Sequence, residues 1–417
     1  VRWIPISIAM GILGGIGAII FHELTDLAAS GFSNLHIMVS LVLGGLASGL
    51  VVYTFAPEAA GHGTDAAIAA VHAHCGRVRN RVAAVKTLAS AFTIGSGGSA
   101  GEEGPSVQIG GGLASTLGRR LRLSGDDMRI LSIAGMGATL AGIFKAPIGG
   151  AIFAAEVMYK RDMEYSAVIP AIISGVIGGT LFMLFHGTEP ILDVSAHHYS
   201  MKAAMVQNIM DLPAFILLAL VVGIVGRIFI HFFYFTERVF RELQIPRVLK
   251  PALGATVFGL MVVMLSIPGT LGIGYEAIQD IIDRDGATLS ILLLLLVGKI
   301  VGTSLVVASG GSGGVVAPSL FIGAMAGGAL GEVLSALPYT SSDITVFMLV
   351  GMSAALAATS KTPLAGIILV YEFSGLNTPL PLAVGSLVGY LASGTHTIHL
   401  NQRDYNIHKP CKEVGDV

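Results

Sequence analysis

The sequence predicts an all-α polytopic membrane protein made of two inverted-topology repeats with discontinuous and re-entrant helices, and three observations predict it. Composition is the first: 53% of the 417 residues are hydrophobic and 12% are charged, about half the charge of an ordinary soluble domain. Second, 55 glycines interrupt the apolar runs and leave short segments beside full-length ones. Third, Ser96-Gly-Gly-Ser-Ala-Gly-Glu-Glu-Gly-Pro-Ser-Val-Gln-Ile-Gly110 returns 213 residues later as Ser309-Gly-Gly-Ser-Gly-Gly-Val-Val-Ala-Pro-Ser-Leu-Phe-Ile-Gly323, with nine of fifteen positions identical.

Apolar spans of bilayer length are readable from about Ile4 to Ile20, Ile37 to Phe55, Val168 to Phe185, Leu212 to Ile230, Ala252 to Ile267, Leu289 to Val307 and Leu380 to Ala392. The shorter pieces between them cannot each cross a hydrocarbon core of about 30 Å. Irregular backbone at that depth needs protein or water around it, so these pieces predict broken helices inside a bundle. Net charge is −2, with no basic stripe or aromatic platform to suggest nucleic acid. The basic residues from Arg77 to Arg81 with Lys86, and from Arg119 to Arg122, read as loop and helix-end charges that set orientation. Cys75 and Cys411 are too few and too far apart to read as a disulfide framework. The chain begins at Val1 without a cleavable signal pattern, which reads as a trimmed or partial chain.

The repeat extends beyond one loop. Gly135-Met-Gly-Ala-Thr-Leu-Ala, Lys145, Pro147, Gly150 and Glu156 correspond to Gly351-Met-Ser-Ala-Ala-Leu-Ala, Lys361, Pro363, Gly366 and Glu372 at an offset of 216. Gly61-His-Gly-Thr-Asp-Ala and Gly272-Ile-Gly-Tyr-Glu-Ala form an earlier pair at 211. The three pairs keep their order, so the division reads as residues 1–200, residues 201–400 and a tail, 401–417. In transporters of this kind the substrate sits near the midplane where the halves meet. Each glycine-rich stretch runs through a proline into a helical pattern, which places helix N-termini there. Aligned peptide dipoles leave roughly +0.5 charge at such an end, so a small anion can be held without a formal positive charge.

The residues resemble the CLC family of chloride channels and chloride/proton antiporters over nearly the whole chain. Gly61-His-Gly-Thr-Asp65 sits where the family has Gly-Ser-Gly-Ile-Pro, Gly101-Glu-Glu-Gly-Pro105 is similar to Gly-Arg-Glu-Gly-Pro, and Gly314-Val-Val-Ala-Pro318 is similar to Gly-x-Phe-x-Pro. The resemblance implies an anion site lined by Gly61, His62, Gly63, Gly101, Glu102, Gly104, Pro105, Gly314, Val315, Val316 and Ala317. It implies that Glu103 is the gating glutamate, a tethered competitor of the anion whose protonation frees the site. It further implies a homodimer with one pathway per subunit in a plasma or inner membrane, with protons and a small anion as the transported partners. No cofactor or metal is implied.

Several positions depart from the family pattern. Glu102 replaces an arginine, His62 a serine, and Val316 a phenylalanine; His399 aligns with the anion-contacting tyrosine. A neutral imidazole donates one hydrogen bond as tyrosine does, and a charged one binds an anion better. Both histidines read equally well as hydrogen-bonded structural residues near helix ends. An ungapped alignment puts Thr188 at the family's second, inward-facing glutamate, with Glu189 one residue away. Glu103 favours proton-coupled exchange, whereas Thr188 and the two replaced ligands favour an uncoupled channel. Pro105 speaks against the fluoride-exporting branch, whose loop differs. Many relatives carry cytosolic nucleotide-binding modules after the membrane region, which this chain, ending at Val417, lacks or has lost.

Competing motifs read more simply. Two Gly-x-Ser-x-Gly strings, around Ser99 and Ser312, match a hydrolase elbow, but their duplication between apolar helices favours packing. Residues Gly95 to Ala100 match a dinucleotide fingerprint without the strands it needs. His72, His74 and Cys75 with His62 lack the spacing of a metal site. Asp126 and Asp127 mark a helix start. Lys145 and Lys361 read either as anion attractors or as helix-end anchors. Glu156 and Glu372 lie inside apolar runs, where an ionisable group is a functional candidate unless the two share a structural role.

Overall fold

The structure, a computed structural model, describes residues 2–194, 210–284, 286–335, 343–376 and 379–406. Among these residues it contains sixteen α-helices and no strand. In the first half they are α1 (Trp3–Phe32), α2 (Ile37–Phe55), α3 (Thr64–His74), α4 (Asn80–Gly95), α5 (Glu103–Arg120), α6 (Gly125–Ile143), α7 (Pro147–Glu156) and α8 (Tyr165–His186). The second half has α9 (Leu212–Glu242), α10 (Lys250–Leu265), α11 (Tyr275–Asp283), α12 (Leu289–Val307), α13 (Val316–Ser335), α14 (Ile344–Ser360), α15 (Pro363–Ser374) and α16 (Leu380–Ala392). The boundary at residue 200 and the tail beyond 406 lie outside the described residues.

Seven described helices are long and apolar enough to span a bilayer. Six coincide with expected spans; the seventh, Val316–Leu334, was hidden by its glycines, and the expected span at Leu380–Ala392 is a helix of only 13 residues. At 1.5 Å per residue that helix is about 20 Å long. The 10 residues of α7 and the 11 of α3 fall shorter still. These are the broken helices that the short apolar runs predicted.

The halves use the same devices at corresponding points. Lys145 and Lys361 both adopt left-handed backbone, φ 49° and 59°, and each is followed two residues later by the proline that opens α7 or α15. Lys145 Nζ donates to the carbonyls of His186 (2.9 Å) and Glu189 (3.2 Å) after α8. Lys361 Nζ donates to the carbonyls of Tyr390, in the last turn of α16, and Gly394, just beyond it. Both lysines are therefore helix-end anchors. Gly110 of α5 crosses Gly135 of α6 so closely that a Cβ on Gly135 would lie 2.5 Å from the Gly110 carbonyl oxygen, and Gly323 meets Gly351 in the same way. Ser124 caps α6 by accepting from Asp127 N, and both aspartates lie in its first turn, as expected.

One expectation is corrected: Lys86 is fully buried, so it is no orientation charge at the membrane surface. Cys75 is disulfide-bonded, a single bond and not a framework; Cys411 lies outside the described residues.

Candidate anion site

Three glycine-rich loops meet at the centre. Gly101 and Gly314 exchange backbone hydrogen bonds, Gly101 N to Gly314 O at 2.9 Å and Gly314 N to Gly101 O at 2.6 Å. This bridge brings the N-termini of α5 and α13 together. A Cβ on Gly104 would lie 2.9 Å from Gly314 Cα, and one on Gly63 2.7 Å from Gly104 O, so only glycine permits the approach. The outer loops are tied across the halves in matching fashion: Gly313 N donates to Gly61 O, and Ala100 N to Gly272 O, both at 3.3 Å.

Beneath these loops lie two lysines that the sequence reading did not connect. Lys86 Nζ donates to Ala59 O (3.0 Å) and Gly61 O (2.7 Å). Lys299 Nζ donates to Thr270 O (3.2 Å) and Gly272 O (2.8 Å). Both are fully buried. Their separation of 213 residues equals that of the glycine-rich loops, which was the available signal. Each amine therefore ties down the carbonyls of one glycine-rich loop from beneath.

Glu103 opens α5 and is buried. Its Oε2 accepts from the backbone N–H of Ala317 at 3.3 Å, in the first turn of α13. Its Oε1 accepts from Tyr275 Oη at 2.9 Å. The carboxylate of one half therefore occupies the N-terminus of the broken helix of the other, where a free anion would be favoured. Tyr275 belongs to the Gly272-Ile-Gly-Tyr loop, the counterpart of Gly61-His-Gly-Thr, and was missed because the family pattern assigns no ligand there. Glu102, Gly104, Pro105, Val315, Val316 and Ala317 are buried around this junction.

His62 and His399 face each other, ring centroids 5.4 Å apart. His62 Nδ1 and both ring nitrogens of His399 are buried without hydrogen-bond partners. Asp65 fixes the loop that carries His399 by accepting from Asn401 N (2.8 Å) and Nδ2 (2.6 Å). Gly61, His62 and Gly63 line a cleft of about 620 Å³ whose wall includes Tyr53, late in α2, and Lys250, at the start of α10.

The opposite face carries a different set of ionisable groups. The connection between α1 and α2 is only four residues, 33–36, so the end of α1 lies on the face away from Tyr53 and the cleft. Glu23, in the last third of α1, pairs with His186 at the end of α8 (3.0 Å). Thr188 and Glu189 follow directly and are exposed. They stand on the face away from His62 and are not gathered with the cleft residues.

The hydrolase strings are packing elements: Ser99 Oγ pairs with Thr303 Oγ1 (3.0 Å) and Ser312 Oγ with Ser90 Oγ (2.8 Å), all buried. His72 Nε2 donates to Met158 O, and among the described residues no cluster could hold a metal ion.

This combination of broken helices meeting N-terminus to N-terminus across two halves defines a membrane transport protein. The family profile "Voltage gated chloride channel" matches residues 44–394, and the chain belongs to that CLC family. It is 31% identical over 402 residues to an uncharacterized protein of Methanocaldococcus jannaschii, covering 95% of each chain. It is 30% identical over 404 residues to the H(+)/Cl(-) exchange transporter ClcA of Vibrio cholerae, covering 92% of this chain and 84% of the relative. Among solved structures, a CLC-type fluoride/proton antiporter superposes with a TM-score of 0.84 at 22% identity, covering 97% and 98% of the two chains. A slow cyanobacterial Cl-/H+ antiporter gives 0.80 at 24%, covering 96% of each.

Proposed function

We propose that the protein carries chloride or a similar small anion across the cell membrane in exchange for protons, with Glu103 serving both ions. The carrying observation is the contact of the Glu103 carboxylate with Ala317 N, because it puts a titratable anion at the helix end that would bind a free one. Protonation removes the charge that competes for that site, so proton uptake and anion occupancy become linked. The likeness to ClcA, an H(+)/Cl(-) exchange transporter by name, supports coupling over passive conduction.

On this reading the anion approaches through the cleft, between His62 and His399, each of which offers one N–H as a neutral imidazole, with unpartnered ring nitrogens in both. The glycine-lined N-termini at Gly63, Gly104 and Val316 supply the remaining donors. The repeats divide near residue 200, and two copies of the chain form a dimer with one pathway each.

The test is efflux from chloride-loaded liposomes, with external pH recorded at the same time. The reading requires chloride leaving down its gradient to drive uphill proton movement, and Glu103→Gln to abolish that movement while chloride still passes. Proton movement unaffected by the substitution would remove Glu103 from the mechanism.

A further inference from the structure

Glu102 is the residue that most needs explaining. Its side chain is 3% exposed, beside the Glu103 gate, and Oε1 is buried with no hydrogen-bond partner. A buried carboxylate with one oxygen unsatisfied is costly unless it is paired or takes up a proton. Its Oε2 lies 3.1 Å from His22 Nδ1. His22, on α1, is 30% exposed and lies 3.7 Å through Nε2 from Asp26, which is open to solvent. The His186 ring stands 4.9 Å from that of His22, and it carries Glu23 on its outer side. Solvent, Asp26, His22, Glu102 and Glu103 thus form a sequence of ionisable groups leading inward, on the face away from the cleft.

We infer that His22 and Glu102 form a proton route to Glu103 from the face away from the cleft. This rests on the reading of Glu103 as the shared group. His22 in its Nδ1–H form takes a proton at Nε2 from solvent through Asp26, and the resulting imidazolium gives its Nδ1 proton to Glu102 Oε2; the Nε2–H form left behind returns to the Nδ1–H form by exchanging protons with solvent at its exposed edge. Protonated Glu102, once its carboxyl group turns, gives that same proton to the Glu103 carboxylate, which releases Ala317 N. Each transfer moves one proton, and both carriers return to their starting state. The groups around the pair are Asp26 and Glu23 on α1, His186 on α8, Tyr275 on α11 and Glu103 itself.

The experiment uses the whole protein in liposomes in a single orientation, measuring proton and chloride flux while pH is varied on one face at a time. Glu102→Gln keeps the volume and removes the proton site; His22→Gln tests the more exposed member should the buried variant fold poorly. We expect either substitution to lower proton flux about tenfold, to reduce the number of protons moved per chloride, and to abolish the pH dependence on the His22 face while that on the cleft face persists. A merely structural role would scale both fluxes together and leave both pH profiles in place. A coupled wild-type protein whose proton flux and pH profile are unchanged by both substitutions overturns this inference alone. A wild-type protein that moves chloride without protons overturns it together with the reading of Glu103.

Discussion

Glu156 and Glu372 each close the helix that begins in the other half. Glu156, ending α7, accepts from Leu364 N (3.0 Å) and Ala365 N (2.8 Å) at the start of α15. Glu372, in α15, accepts from Ile148 N (3.1 Å) and Gly149 N (2.7 Å) at the start of α7. Carboxylates in an apolar bundle are tolerated here because each satisfies two orphan N–H groups and faces a positive helix end. Glu156→Ala should cost about 3 kcal/mol, since it strips two charge-assisted bonds from a buried site. Glu372→Ala, at a more exposed position, should cost less. Thermal unfolding in detergent measures both, and equal losses would argue against burial as the deciding factor.

Tyr275→Phe removes one of the two donors holding the Glu103 carboxylate and leaves the ring in place. A hydrogen bond to a charged group contributes about 1.5–3 kcal/mol, so the gate should open at least tenfold more readily. Chloride flux at neutral pH is the readout, and it should rise; an unchanged flux would mean that the tyrosine does not restrain the gate.

Lys86→Met and Lys299→Met should behave as a pair. Each leaves two loop carbonyls without their amine donor, at a cost of about 1–3 kcal/mol per unsatisfied group. Both should weaken halide binding by loosening the loops that line the site, and calorimetric titration would detect it. Tight halide binding in either variant would show that the loops hold without the lysine.

His399 tests the cleft approach. His399→Phe removes both ring nitrogens and should weaken chloride binding about tenfold, whereas His399→Tyr restores a donor and should recover most of the loss. Equal affinity in the two variants would mean that the residue packs and does not contact the anion.

Much of the architecture was legible because apolar length and the matched loops are local signals. Gly101/Gly314 and Glu156/Glu372 already stood at matched positions, 213 and 216 residues apart, so equivalent roles in the two halves followed from the repeat. Lys86 was misread because its neighbours Arg77 to Arg81 are a surface cluster, and burial of a lysine shows only when the carbonyls it serves are in view. The tie between His22 and Glu102 was invisible because it spans 80 residues and joins helices whose packing no periodicity specifies. Thr188 depended on a one-residue register across a loop, where alignment has least to grip.

The central claim is that the Glu103 carboxylate and the anion compete for the N-terminus of α13. Calorimetric chloride titration of the wild type and of Glu103→Gln, each at several pH values, tests it most directly. Deprotonation restores the competitor, so wild-type affinity should fall as pH rises through the titration of Glu103 and increase again on acidification. Glu103→Gln should bind tightly at all pH values, apart from any dependence contributed by His62 and His399, which would also favour binding at low pH. Wild-type and variant affinities that coincide across the whole range would contradict the claim, because the carboxylate would then not be occupying the anion's place.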